Sequence, residues 1–168
     1  MIQDARLSFH AMRLLIFEWM TEVGTKHLGV EFSGGGDSGD ISAVAPGYTT
    51  VEVARRTAAG VNPWHDDKKL DEWSAAFNAK RYTFDGETKT LDEIVREHCD
   101  AVFNDPEFPD WVNNDGGHGE IAFEIDDDGK QIVRVDVHIA RTEYDSFTFV
   151  LTPTGDLRQD GDEEEEPE

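Results

Sequence analysis

Two segments in the C-terminal half of the sequence place four potential metal ligands at alternate positions. They are His118, Glu120, Asp136 and His138, and the odd-numbered positions beside them are apolar or glycine. Because strand pairing preserves this parity, a hairpin of the two segments brings all four side chains to one face. Two imidazoles and two carboxylates suit zinc or manganese. The pattern predicts a divalent metal site, and the alternative is a solvated face with cross-strand ion pairs.

The register of this hairpin stays open at the level of sequence. One register places Glu120 opposite His138. A three-residue loop with Gly129 in the left-handed conformation instead places Glu120 opposite Asp136 and His118 opposite His138. In both registers the carboxylates and the imidazoles lie close together.

The stretch EFSGGGDSGDISAV, residues 31–44, is a second candidate site. Too few residues precede Ser38 to build a chymotrypsin-like fold, no Gly-Lys-Ser/Thr follows to hold a phosphate, and the acids lack EF-hand spacing. The stretch is therefore interpreted as a hairpin turn. Its segment DSGDI resembles GHGEI at residues 117–121, which predicts that Asp37 and Asp40 lie beside the metal cluster, with the glycines leaving room above it.

The other histidines and the single cysteine offer no comparable pattern. His10, His27, His65 and His98 have no partner pattern, so they are expected at the edge of the core or on the surface. Cys99 precedes Asp100 and follows Glu97, and these acids would raise its pKa. It is a poor candidate for a nucleophile.

The charge balance is the strongest compositional signal. The chain has 37 acidic and 15 basic residues and a formal net charge of −22. Such a surface repels phosphates, so direct binding of nucleic acid is not expected. Three interpretations remain open: solubility in a high-salt cytoplasm, a partner protein with a basic surface or groove (including nucleic-acid mimicry), and binding of divalent cations.

Length and hydropathy indicate one soluble domain. A chain of 168 residues is long enough to bury a core, so residues 1–155 are predicted to form a single domain. The acid-rich segment 156–168 is predicted to be a disordered tail. A single cysteine favours a reducing compartment, and no apolar run is long enough to cross a membrane. The expected location is the cytoplasm, and the oligomeric state is left open.

Periodicity predicts an α+β fold. Apolar spacing indicates helices over residues 2–23, from 66 or 67 to about 80, and over 90–104, the last with a capping box of Thr90 and Glu93. Alternating segments predict an antiparallel sheet of about four to five strands, with the helices packed on one face. Residues 45–65 are ambiguous, and a short strand is expected at residues 50–53.

Three segments carry a resemblance to known proteins. They are GVEFSGGGDSGDI, DWVNNDGGHGEIAFEI and HIARTEYDSFTF, in this order. Together they resemble a family of uncharacterised small proteins from phage, plasmid and bacterial genomes. The shared features are a glycine-aspartate hairpin, a tryptophan followed by an Asn-Asp-Gly turn into a strand, and a final Thr-Tyr strand. The resemblance covers about half of the chain. It implies a genomic setting, and no activity transfers with it.

Two functions follow as expectations. The first is a small acidic accessory protein of a phage or mobile element that binds a host or element protein through its negative surface, as an inhibitor, a nucleic-acid mimic or a counter-defence factor. The second is a small metal-dependent hydrolase that uses the polar face of the sheet. The first predicts a convex charged surface, and the second predicts a concave site near the glycine turns.

Overall fold

The protein is described by a computed structural model that covers residues 2–35, 38–63, 66–84, 86–109, 116–139, 145–152 and 157–159. The helices are α1 (Ile2–Val23), α2 (Thr50–Ala58), α3 (Asp67–Ala79) and α4 (Leu91–Phe103). The strands are β1 (His27–Gly35), β2 (Ser38–Gly47), β3 (Arg81–Phe84), β4 (Glu87–Thr90), β5 (Gly117–Ile125), β6 (Gln131–Ile139), β7 (Asp145–Leu151) and β8 (Leu157–Gln159). This is the predicted α+β fold.

One antiparallel sheet organises these elements. Its strand order is β2-β1-β5-β6-β7-β8, so the hairpin β1–β2 pairs through β1 with β5, far along the chain. The strands β3 and β4 form a separate two-stranded sheet. The main sheet thus has six strands rather than the predicted four to five, and the added strand β8 has three residues.

The apolar face of the sheet carries the core. Val133, Val135 and Val137 of β6 are fully buried, as the alternation in the sequence predicted. The helices α1 and α4 supply Ile16 and Ile94 to the same buried cluster. Burial of each such side chain contributes about 1.5–3 kcal/mol, so this face fixes the orientation of the strands.

Local signals place the helix ends where the sequence predicted them. Gly24 adopts φ 75° directly after α1, a conformation that favours glycine. The Thr90 hydroxyl accepts a hydrogen bond from the Glu93 amide, and the Glu93 carboxylate accepts one from the Thr90 amide. This is the predicted capping box, and it separates β4 from α4 without a loop.

The expected strand at residues 50–53 was wrong, because these residues begin α2. The side chain of Thr49 accepts a hydrogen bond from the amide of Glu52 and so caps the helix. No residue of α2 is buried. Unlike α1 and α4, this helix lies beside the polar face of the sheet, where Val53 lines the same depression as Glu31 and Glu120.

The predicted tail boundary at residue 156 also needs correction. Leu157 is buried and pairs with Leu151 of β7, so residues 157–159 belong to the sheet. The acidic segment 160–168 lies outside the described residues. No helix among the described residues is long and apolar enough to cross a membrane.

Candidate functional site: a row of carboxylates on the polar face

Three carboxylates lie directly opposite one another on the polar face. Glu31 of β1 pairs in register with Glu120 of β5, and Glu120 pairs with Asp136 of β6. We call these three residues the carboxylate row. Like charges directly opposite on neighbouring strands destabilise a sheet, by about 0.2–1 kcal/mol per pair. The row is therefore a feature that folding alone does not favour.

The neighbouring row contains the two predicted histidine ligands. His118 pairs in register with His138, and their ring centroids lie 5.1 Å apart with the planes inclined by 27°. Of the two registers that the sequence left open, the structure has the one with Glu120 opposite Asp136. It also confirms that all four predicted ligands share one face of the sheet.

The carboxylates of the row differ in their partners. Glu120 Oε1 lies 3.2 Å from His27 Nε2. Asp136 Oδ1 accepts a hydrogen bond of 2.9 Å from the Thr148 hydroxyl of β7. Within the described part of the chain, the Glu31 carboxylate has neither a hydrogen bond nor an ion pair. No Lys or Arg side chain within that part forms an ion pair with the row.

The arginine of β6 on this face is directed elsewhere. Arg134 lies two residues before Asp136 in β6 and therefore on the same face. Its Nη1 lies 3.9 Å from Oε2 of Glu124. Arg134 lies one same-face position from the row and Glu124 lies two. Arg134 therefore forms its ion pair outside the row.

The predicted metal site is not assembled by the described side chains. Among them, no three histidine, cysteine, aspartate or glutamate residues are grouped so that they could hold an ion. Asp37 lies outside the described residues. Ser33 of β1 pairs with Asp40 of β2 on one side and with His118 of β5 on the other, so these three residues lie in one line across the sheet. The Asp40 carboxylate accepts a hydrogen bond of 2.8 Å from the amide of Ile41. A zinc or manganese site remains a prediction that the described geometry does not support.

Asp40 also lies near enough to α4 to affect a carboxyl group there. The pKa of Asp100, on α4, is raised by partial burial and by the nearby charges of Asp40 and Glu97. The strand register agrees with the expectation that Asp40 lies beside the histidines, since Ser33 separates Asp40 from His118.

Two depressions flank the carboxylate row. An open hollow of about 490 Å³ lies over His118, His138 and the row itself. On the other side, a groove of about 510 Å³ runs between α2 and the first two strands, with Glu31 and Glu120 at its margin. We call this second depression the α2 groove. The carboxylate row thus forms the boundary between two concave regions of one face.

A family model covers most of the chain. It matches residues 9–149 and describes a family of unknown function (DUF6878). The chain belongs to this family. No curated protein and no solved structure matches it. The match includes α4, β5, β6 and the whole carboxylate row.

His27 was not identified from the sequence as part of the site. The sequence offered no partner for it, because its partner Glu120 is 93 positions away and the pairing of β1 with β5 was not predicted. The alternation of His27, Gly29 and Glu31 on one face of β1 was a usable signal once that pairing was known.

The glycines near the histidines do not serve the expected purpose. A Cβ atom on Gly119 would clash with the carbonyl oxygen of Asp136 and would lie 2.7 Å from Cζ of Phe32. Phe32 is buried on the apolar face. Gly119 therefore makes room for an aromatic ring in the core below, rather than for an ion above the polar face.

The other candidates for chemistry are core residues. His98 is fully buried, its ring stacks on Phe9 at 4.4 Å, and neither nitrogen has a hydrogen-bond partner among the described residues. Burial and the charge of Arg13 lower the pKa of His98 to about 3. Burial, with Asp100, raises the pKa of the Cys99 thiol, so Cys99 is an unreactive core residue, as the sequence indicated.

Proposed function

We propose that this protein is a binding protein whose polar sheet face receives a basic segment of a partner protein. The observation that carries the proposal is the carboxylate row, in which Glu31, Glu120 and Asp136 are paired in register without a lysine or arginine partner among the described residues. A cationic partner removes the mutual repulsion of these groups, so part of its binding energy comes from relief of an unfavourable contact already present in the free protein.

The overall charge favours the same partner. A net charge of −22 gives a long-range field that accelerates encounter with basic surfaces and repels nucleic-acid backbones. Field and row act at different distances: the field brings a basic protein near, and the row provides a defined place for its charges. The partner is therefore proposed to be a protein with a basic surface or groove.

The wider setting is part of the proposal. Three segments of the sequence resemble small proteins from phage, plasmid and bacterial genomes, which supports the proposal that this protein also belongs to such a genome. In that setting an acidic accessory protein would act on a basic host or element protein, as an inhibitor or a mimic of nucleic acid. The metal-dependent hydrolase is the second expectation. The concave hollow over His118 and His138 is what this expectation requires, but the ligand set is not, because the described residues do not gather three ligands.

Titration with a ten-residue oligolysine tests the proposal. The row variant combines Glu31→Gln, Glu120→Gln and Asp136→Asn. The charge-matched control removes three exposed acids away from the face, with Asp71→Asn, Glu72→Gln and Glu107→Gln. Calorimetry gives the affinity, and amide chemical shifts locate the bound peptide.

We expect the row variant to lose at least tenfold in affinity while the control loses less than threefold, with the largest shifts on β1, β5 and β6. Equal losses in both variants would show that only net charge matters, and would overturn the proposal. Shifts confined to the acidic segment after residue 159 would do the same.

A further inference from the structure

We propose that the α2 groove is a pocket for one lysine side chain, that is, for a primary ammonium group on an unbranched aliphatic stem. The inference deepens the proposed function and rests on it, since the lysine would belong to the basic partner and would use two carboxylates of the row, Glu31 and Glu120, together with the groove beside them. The groove has about 510 Å³ of free volume, which is within the range of clefts that bind small ligands and is larger than one lysine side chain requires.

Much of the lining of the groove is apolar, and Tyr48 and Thr50 add hydroxyl groups to it. Ala43, Ala45 and Pro46 of β2 line it on the side of the sheet, and Val53 of α2 lines it on the side of the helix. None of these side chains carries a charge or a hydrogen-bonding group. An aliphatic stem of four methylene groups fits such a lining, because lysine buries its stem along apolar surface while its charged end seeks a polar environment.

The acidic end of the groove provides that environment. Glu31 and Glu120 are direct cross-strand partners, so their Cβ atoms lie about 4.5–5.5 Å apart. Both carboxylates border the groove. An ammonium group between them would compensate two like charges at once, and its three N–H groups would have acceptors on both sides.

The partner of Glu120 favours lysine over arginine. His27 Nε2 lies 3.2 Å from Oε1 of Glu120, so one of the two carboxylate oxygens is already engaged. Arginine binds a carboxylate best through both oxygens at once, whereas an ammonium group acts as a point charge that one oxygen can satisfy. The His27 contact therefore disfavours bidentate binding at Glu120 and leaves only Glu31 for that geometry, whereas one ammonium group can contact both carboxylates.

Small residues make this arrangement fit. A Cβ atom on Gly29 would lie 3.0 Å from Cε1 of His27 and 3.4 Å from Oε1 of Glu120. A Cβ on Gly47 would lie 3.6 Å from Nδ1 of His27. The imidazole thus lies over two glycines, and the absence of side chains there lets it reach Glu120 beside the groove.

The test uses Nα-acetyl-lysine-N-methylamide as the probe, observed through amide chemical shifts of the full-length protein. Two analogues serve as comparisons: the same compound with its Nε acetylated, and Nα-acetyl-arginine-N-methylamide. Ala45→Leu fills the groove with bulk and leaves every charge in place. Ala54→Leu, on an exposed position of α2 that does not border the groove, is the matched control.

We expect the lysine probe to shift the amides of Gly29, Ala45, Gly47 and Val53, and the acetylated and arginine analogues to bind at least tenfold more weakly. Ala45→Leu should abolish these shifts, and Ala54→Leu should preserve them. Equal affinity for the arginine analogue, or shifts that survive Ala45→Leu, would overturn the inference.

Oligolysine separates this inference from the proposed function. If the single lysine probe binds nowhere, Ala45→Leu binds oligolysine as tightly as the wild type and the row variant still loses at least tenfold, the groove assignment is wrong and the carboxylate row stands. If the lysine probe binds in the groove but oligolysine shows no preference for the row over the charge-matched control, the groove stands and the proposed function is wrong.

Discussion

The two faces of the main sheet are built from alternate residues of the same strands, yet they differ in how well their side chains are matched. On the apolar face, Val135 and Val137 are fully buried against helices. On the polar face, Asp136 between them lies opposite Glu120 in a line of like charge. In β6, the buried Val135 and Val137 thus favour folding, whereas Asp136 between them opposes it.

This contrast indicates where each face is constrained. Core side chains stabilise a protein in proportion to buried area and packing, so any change of shape there is felt. Opposed carboxylates that lower stability mark a surface kept for another purpose, because proteins tolerate strain and repulsion chiefly at functional sites. The apolar face explains the fold, and the polar face is where function is proposed.

The largest expected effect is on the apolar side. Gly119→Ala should destabilise the protein by at least about 3 kcal/mol, because the new methyl group meets backbone of β6 and the ring of Phe32, neither of which can move cheaply. Gly29→Ala is the matched control on the polar face of the sheet, since its methyl group meets only the mobile ends of His27 and Glu120. Urea unfolding measures both.

We expect Gly29→Ala to lose less than about 1 kcal/mol. If the two substitutions lower the free energy of unfolding equally, the proposed difference in packing between the two faces is wrong.

A second effect links the core to pH. His98 has a pKa of about 3 in the folded protein and about 6.5 when unfolded. The unfolded chain therefore binds a proton that the folded protein excludes, and stability falls as the pH drops from 6.5 toward 3, by about 1.4 kcal/mol per pH unit. Above pH 6.5 this contribution is constant.

Thermal unfolding between pH 5 and 7.5 checks this. His98→Phe should flatten the profile in that range, because it keeps an aromatic ring against Phe9 and removes the titration. His10→Gln, at an exposed position on α1, should leave the slope unchanged. A wild-type slope that persists in His98→Phe would assign the titration to another group.

The smallest effect is on the polar face. Glu31→Gln should raise the free energy of unfolding by a few tenths of a kcal/mol, because it removes one member of a like-charged cross-strand pair. Glu124→Gln removes an acid that pairs with Arg134 and should be neutral or slightly destabilising. The difference should shrink in 1 M salt, where the Debye length is about 3 Å.

Glu107→Gln provides the reference for net charge, since it removes an exposed acid away from the row. If Glu31→Gln stabilises the protein no more than Glu107→Gln does, the row carries no special repulsion, and the contrast between the faces reduces to burial alone.

Local and periodic features were determined by the sequence itself. The parity of β5 and β6 placed His118, Glu120, Asp136 and His138 on one face, because the two-residue period of a strand does not depend on its neighbours. The capping box at Thr90 and the glycine after α1 likewise depend only on nearby residues. These predictions needed no knowledge of the fold.

Only the tertiary structure decided which strands meet. The pairing of β1 with β5 joins residues about 90 positions apart, and it alone brings Glu31 and His27 to Glu120. It also gives Gly119 its role, since Phe32 reaches it from β1. Periodicity fixes the face of a side chain, but strand order is set by how all the apolar faces are buried together, and that is a property of the whole chain.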